Sequence, residues 1–183
     1  MGRKAEIAKE ILYAASLVGV LTVAILAPNA LQMFKFLPGL SNHERKAKFK
    51  RSLKKLEKNK LISLKESPGG EIEVKLTKNG EEKLLKYKVE DMTVKISPKW
   101  DKKWRLVIFD VPNRLNKNRL AFTRKLKEMG LIYFQRSVWI CPYDCEEEID
   151  FLKEIYRIGP FVRFAVVDKF DIQFDLVKKF GLT

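Results

Sequence analysis

The chain has 183 residues, 46% apolar and 33% charged, which excludes wholesale disorder and provides for a hydrophobic core without disulfide or metal staples. Basic residues outnumber acidic ones 37 to 23, a formal charge of +14, and nine basic against two acidic side chains place +7 of it in residues 41–60. A basic stripe this concentrated in a folding sequence points to a polyanion partner, nucleic acid first and an anionic membrane second.

No residue from Ile11 to Phe34 is charged, and the almost continuously apolar run to Ala27 approaches the length of a membrane span. Gly19, Pro28-Asn29 and Gln32 interrupt it, and no A-x-A cleavage pattern marks a signal peptide. The pattern predicts two buried helices, over 4–18 and 20–37, packed in a small helical domain. A membrane anchor over 11–34 is the alternative.

Ser41-Asn42-His43-Glu44 reads as a capping box, Ser at the N-cap and Glu three residues on, so a helix is expected to start there. Phe49, Leu53 and Leu56 recur along it at i, i+4 and i+7, one apolar seam. Arg45, Lys46, Lys48, Lys50, Arg51, Lys54, Lys55 and Lys58 occupy most of the remaining surface and are the candidate DNA-binding residues. His43, near the helix start, is read as a backbone or phosphate contact.

Leu61–Leu64 and the alternating Glu71–Leu76 flank a Ser67-Pro68-Gly69-Gly70 turn, the signature of a β-hairpin, and Thr77 then caps a helix running to about Val89. Helix, hairpin, helix is the order of a winged helix-turn-helix, in which the basic helix enters the major groove of double-stranded DNA beside the wing. Residues 1–93 are assigned to this domain and 94–103, with Pro98, Trp100 and four lysines, to a linker.

Residues 104–183 form a second domain. Arg105–Phe109 reads as a buried strand ending at Asp110-Val111-Pro112, and a helix over 115–129 stops at Gly130. Leu131–Phe134 and Ser137–Ile140 are strands, Glu146–Ile158 is a helix ended by Gly159-Pro160, and Phe161–Val167 is the last strand. The fold class is therefore α+β, a winged helix followed by a ferredoxin-like βαββαβ sheet with both helices on one face. Its other face is apolar enough to expect a partner sheet.

The segment Trp104–Pro112, followed by Arg119, Leu126, Gly130, Gln135, Ser137-Val138-Trp139 and Pro142, resembles the central domain of the phenylacetic-acid degradation repressor (PaaX) family. That domain is itself similar to the small CRISPR-associated endonuclease of spacer acquisition. The winged helix, the Leu76-Thr77-x-x-Gly80 element and the link Trp100-Asp101-Lys102-Lys103-Trp104 stand in the repressors' order. The resemblance implies a homodimeric, DNA-binding transcriptional repressor. A further carboxy-terminal domain of the repressors is not expected after Thr183, so no effector is assigned. The nuclease branch lacks the winged helix and usually has Tyr where this chain has Phe109.

Asp110 is the one catalytic and metal-ligand candidate. In the nuclease branch such an Asp from each protomer is proposed to hold a divalent cation, for which Mg²⁺ suits hard oxygen ligands. Its alternative role is a turn residue capping backbone N–H groups before the next helix. Cys141 and Cys145 lack the spacing of a redox or zinc motif and read as ordinary thiols of a reducing, cytoplasmic compartment. Arg119 and Arg124 are read as an exposed helix face, Gln135 as a turn-ordering residue, and Glu146-Glu147-Glu148 as the favoured negative start of a helix. No cofactor is expected outside the nuclease reading. A membrane-tethered interaction protein is the remaining alternative.

Overall fold

The computed structural model describes residues 3–18, 20–24, 42–66 and 71–182, which divide into two units, 1–88 and 89–183. The first unit contains α1 (Arg3–Val18), β1 (Val20–Ala24), α2 (Asn42–Lys58), the hairpin strands β2 (Ile62–Glu66) and β3 (Glu71–Leu76), and most of α3 (Lys78–Asp91). Its three strands form an antiparallel sheet in the spatial order β1-β3-β2.

The seam of α2 behaves as its spacing demands. Phe49, Leu53 and Leu56 are buried together with Ile7, Ile11 and Leu12 of α1, with Ile62, Ile72 and Val74 of the hairpin, and with Leu84 of α3. Each such side chain contributes on the order of 2 kcal/mol by leaving water. The expected cap Ser41 and the hairpin turn 67–70 lie outside the described residues.

The helix predicted over 20–37 is corrected. Residues 20–24 are a strand that pairs with β3 from Val20 opposite Lys75 to Ala24 opposite Glu71. Val20, Thr22 and Val23 are β-branched, which favours extended backbone once a strand edge is present to accept it. Residues 25–41 lie outside the description. The described part of the uncharged run is thus split between a core-facing helix and a strand, and among the described residues no helix is long and apolar enough to cross a membrane.

The second unit contains β4 (Trp104–Phe109), α4 (Asn116–Glu128), β5 (Ile132–Gln135), β6 (Val138–Cys141), α5 (Glu146–Ile155), β7 (Val162–Val167) and α6 (Gln173–Phe180). All neighbouring strands are antiparallel, in the order β5-β6-β4-β7. One face packs Val107, Phe109, Trp139 and Cys141 against Phe122 and Leu126 of α4 and Ile149 and Leu152 of α5. Gly130 ends α4 at φ +87°, where a left-handed residue lets Leu131 N–H return to the carbonyl of Leu126.

The helix α6 has no counterpart among the expected elements. Leu176, Val177 and Phe180 lie on the opposite sheet face over Trp104, Ile140, Ile132 and Phe134. The face expected to await a partner sheet is therefore partly covered by the chain itself, and Ile108 at its other end stays 41% exposed. Val94, in the segment expected to be a linker, is buried with the second core.

Candidate nucleic-acid interface and the groove at Asp110

The cationic face of α2 follows from its seam. With Phe49, Leu53 and Leu56 turned inward, Arg51, Lys54 and Lys58 fall at i, i+3 and i+7 along the opposite side, flanked by Lys50 and Lys55. All five are exposed, and none of their side chains forms an ion pair or hydrogen bond with a described residue. Lys46 and Lys48 are only partly exposed, nearer the seam, and the side chain of Arg45 lies outside the described residues. His43 is exposed in the first turn. The described hairpin residues carry Lys65 and Lys75 against Glu66, Glu71 and Glu73, so the charge of this unit's candidate interface resides on the helix.

The start of α3 is locked to the end of α2. Lys60 adopts φ +56°, returning its N–H to the carbonyl of Glu57 and that of Leu61 to Leu56. The Thr77 hydroxyl donates to the Lys60 carbonyl (2.6 Å) and accepts from the Gly80 N–H (3.1 Å), which makes it the expected helix cap. The Leu-Thr-x-x-Gly element thus clamps the hairpin base and sets the helix pair around it.

In the second unit the Trp-Asp-x-x-Trp link is also architectural. Asp101 accepts a bidentate pair from Arg105 (2.7 and 2.6 Å) and the N–H of Lys103 (3.0 Å). Arg105, only 8% exposed, also reaches the carbonyls of Lys103 and Pro142. This hydrogen bonding with Arg105 holds the Asp101 carboxyl below the usual carboxylate range. Trp104 is wholly buried, 4.8 Å from Trp100 and 5.8 Å from Phe180.

Asp110 directly follows β4, its N–H bonded to the carbonyl of Phe161 (3.0 Å) and its side chain exposed. The expectation that it caps the next helix is not met. The 3₁₀ turn Asn113–Leu115 follows Pro112 with no side-chain cap, and the Asp110 carboxylate has no partner among the described residues. It lines a shallow groove of about 490 Å³ with Ile108, Arg136, Ser137, Pro160 and Arg163. Arg163 Nη1 is braced by the carbonyls of Pro160 and Val162, both 3.0 Å away. The groove lining carries one carboxylate and two guanidinium groups, and no cluster of three or more metal-ligating side chains occurs among the described residues.

The other singled-out residues have local roles. Arg119 donates to Asn116 Oδ1 (2.7 Å), while Arg124 is an exposed residue of α4. Gln135 is exposed opposite Val138, where β5 closes on β6, and Ser137 takes the positive φ of +63° in the turn. Cys141 and Cys145 are buried and free, and their mutual hydrogen bond, with burial, pushes the Cys145 thiol up. Glu146, Glu147 and Glu148 form the first turn of α5. The grouping of Arg136 and Arg163 with Asp110 escaped sequence reasoning because three separate elements supply it. Its one sequence-level signal is that Arg136 directly precedes a strand expected to join the same sheet.

No curated protein matches the chain. Residues 97–175 match the family model described as the PaaX protein central Cas2-like domain, a span holding the Trp-Asp-x-x-Trp link, the whole four-stranded sheet and the groove at Asp110. The second unit therefore contains a domain similar to the PaaX central domain.

Proposed function

We propose that the chain is a DNA-binding transcriptional regulator, a repressor that works as a homodimer, with α2 as the recognition helix of a winged helix-turn-helix. The carrying observation is the division of α2 into a buried seam and an outward row of five exposed, unpaired cations. A protein face of this kind suits a phosphate backbone, because each neutralised phosphate releases condensed counterions. The sheet order β1-β3-β2, with α2 leading directly into the β2–β3 hairpin, supports the winged-helix assignment. In this reading the hairpin is the wing.

The strand order β5-β6-β4-β7, interleaved with α4 and α5, supports a ferredoxin-like reading of the second unit. That unit supplies the dimer contact, and two-fold symmetry presents two copies of α2 to the half-sites of a near-palindromic operator. Occupancy of the operator occludes the promoter. The PaaX-type domain supports this class of function.

The test is duplex-DNA affinity by fluorescence anisotropy across a salt series. The Lys54→Glu/Lys55→Glu double variant is expected to bind more weakly and with a salt slope shallower by about two, since each phosphate contact contributes roughly 0.9. Binding as tight and as salt-dependent as wild type would remove α2 as the recognition helix.

A further inference from the structure

Cys141 is the last residue of β6 and Cys145 the residue just before α5, and both are buried and free. Only Pro142, Tyr143 and Asp144 separate them, and the two thiols stand in hydrogen-bond contact. Arg105 lies directly opposite Cys141 across the β4–β6 ladder, so both side chains rise from the same face of the sheet. Its Nη atoms are taken up by Asp101 and by the carbonyls of Lys103 and Pro142, whereas its buried Nε has no hydrogen-bond acceptor among the described residues. A buried donor left without an acceptor is costly and is found chiefly where function supplies one at some stage. The loop between the cysteines lines an open cavity of about 250 Å³ with Trp100, Asp101 and Arg105, which admits a small solute to this corner of the sheet.

We propose that Cys141 and Cys145 form a redox site beside Arg105, in which a hydroperoxide oxidises the Cys141 sulfur and Cys145 converts the product into a reversible disulfide within the chain. The Cys141 thiolate attacks a peroxide oxygen, an S–O bond forms as the O–O bond breaks, and the departing hydroxide becomes water with the proton that the Cys141 thiol gave up. The Cys145 sulfur then attacks that of Cys141. The S–S bond forms, the S–O bond breaks, and hydroxide leaves as water with the Cys145 proton. Two thiols and one hydrogen peroxide thus become one disulfide and two waters, and a dithiol reductant reverses the change. The division of roles follows from the surroundings. The hydrogen bond from Cys145 holds the Cys141 thiol below the usual range against the opposing effect of burial, and the Tyr143 N–H and the Arg105 charge act in the same direction. That same contact, with burial and the charges of Glu148 and Asp144, keeps Cys145 protonated until Cys141 is oxidised. The C-x-x-x-C spacing alone carries no such signal. The pairing of β4 with β6 supplies it, by setting Arg105 across from Cys141. Disulfides of reducing compartments are characteristically transient ones of this kind.

The experiment treats the full chain with hydrogen peroxide, quenches the reaction, alkylates the remaining thiols under denaturing conditions and reads the product by intact mass and peptide mapping. Both thiols are expected to be lost together, with Cys141 joined to Cys145 in one chain, and both are expected to return after dithiothreitol. The folded chain is expected to lose them at least about tenfold faster than the chain unfolded in urea, since only the fold sets Cys141 against Arg105. In Cys145→Ser, dimedone is expected to label Cys141 as the sulfenic acid, whereas Cys141→Ser is expected to leave Cys145 unlabelled at the same dose. Circular dichroism accompanies both variants, and the wild-type mapping decides the disulfide without them should either fail to fold. Oxidation no faster in the folded chain than in urea overturns the site. A disulfide that joins two chains overturns the pairing, and dimedone labelling of Cys145 in place of Cys141 overturns the assigned order.

Discussion

A Cβ atom placed on Gly80 would lie 1.9 Å from the carbonyl oxygen of Leu61. The first turn of α3 therefore presses against the backbone leaving α2, an approach only glycine permits, and Thr77 closes the same junction from its other side. The orientation of α2 and the hairpin depends on this contact between main chains.

Gly80→Ala is accordingly expected to destabilise the first unit by about 3 kcal/mol, the upper range for overpacking, because backbone cannot yield as a side chain does. Thr77→Val, which keeps the shape and removes both hydrogen bonds, is expected to lose about 1–2 kcal/mol. Urea denaturation followed by circular dichroism measures both, and a Gly80→Ala protein as stable as wild type would show that the junction is loose.

Leu53→Ala opens a cavity among α1, α2 and the hairpin and is expected to cost about 2–5 kcal/mol. Arg51→Ala, on the opposite side of the same helix, is expected to leave stability within about 0.5 kcal/mol and to lower DNA affinity. Paired melting and binding measurements check this separation. Equal effects of the two changes on melting would contradict the division of the helix into seam and outward face.

The pairing of Asp101 with Arg105 predicts a pH dependence of definite sign. Its lowered carboxyl pKa means the folded state favours the charged form, so the contribution is present above the unfolded pKa of about 3.9 and is lost as pH falls through the lower, folded value. Asp101→Asn is expected to be less stable at neutral pH by about 1–2 kcal/mol, reduced from a buried pair's value because Asp101 itself is 46% exposed. The gap from wild type is expected to close in strong acid, and a gap independent of pH would assign the effect to packing.

Removing α6 tests the second core. Phe180→Ala is expected to cost about 2 kcal/mol, below the value for a wholly buried aromatic because Phe180 is only partly covered. Deleting residues from Ile172 onward is expected to shift tryptophan fluorescence to longer wavelength as Trp104 meets water. Emission unchanged by the deletion would mean that another element shields Trp104.

Local chemistry determined much of this protein before any fold was known. The seam and cationic face of α2, the hairpin, the Thr77 cap, the Gly130 stop and the strands of the second sheet were legible because residues within a turn or two specify each of them. Tertiary structure decided the rest. Residues 20–24 became a strand because β3 lies alongside, and an amphipathic end segment became α6 because Trp104 and Ile140 offered it a face. Asp110 shares a groove with Arg136 and Arg163 only through the pairing of β4 with β6 and β7. Such groupings join residues remote along the chain, and periodicity reports only which side of an element is apolar, never what will stand opposite it.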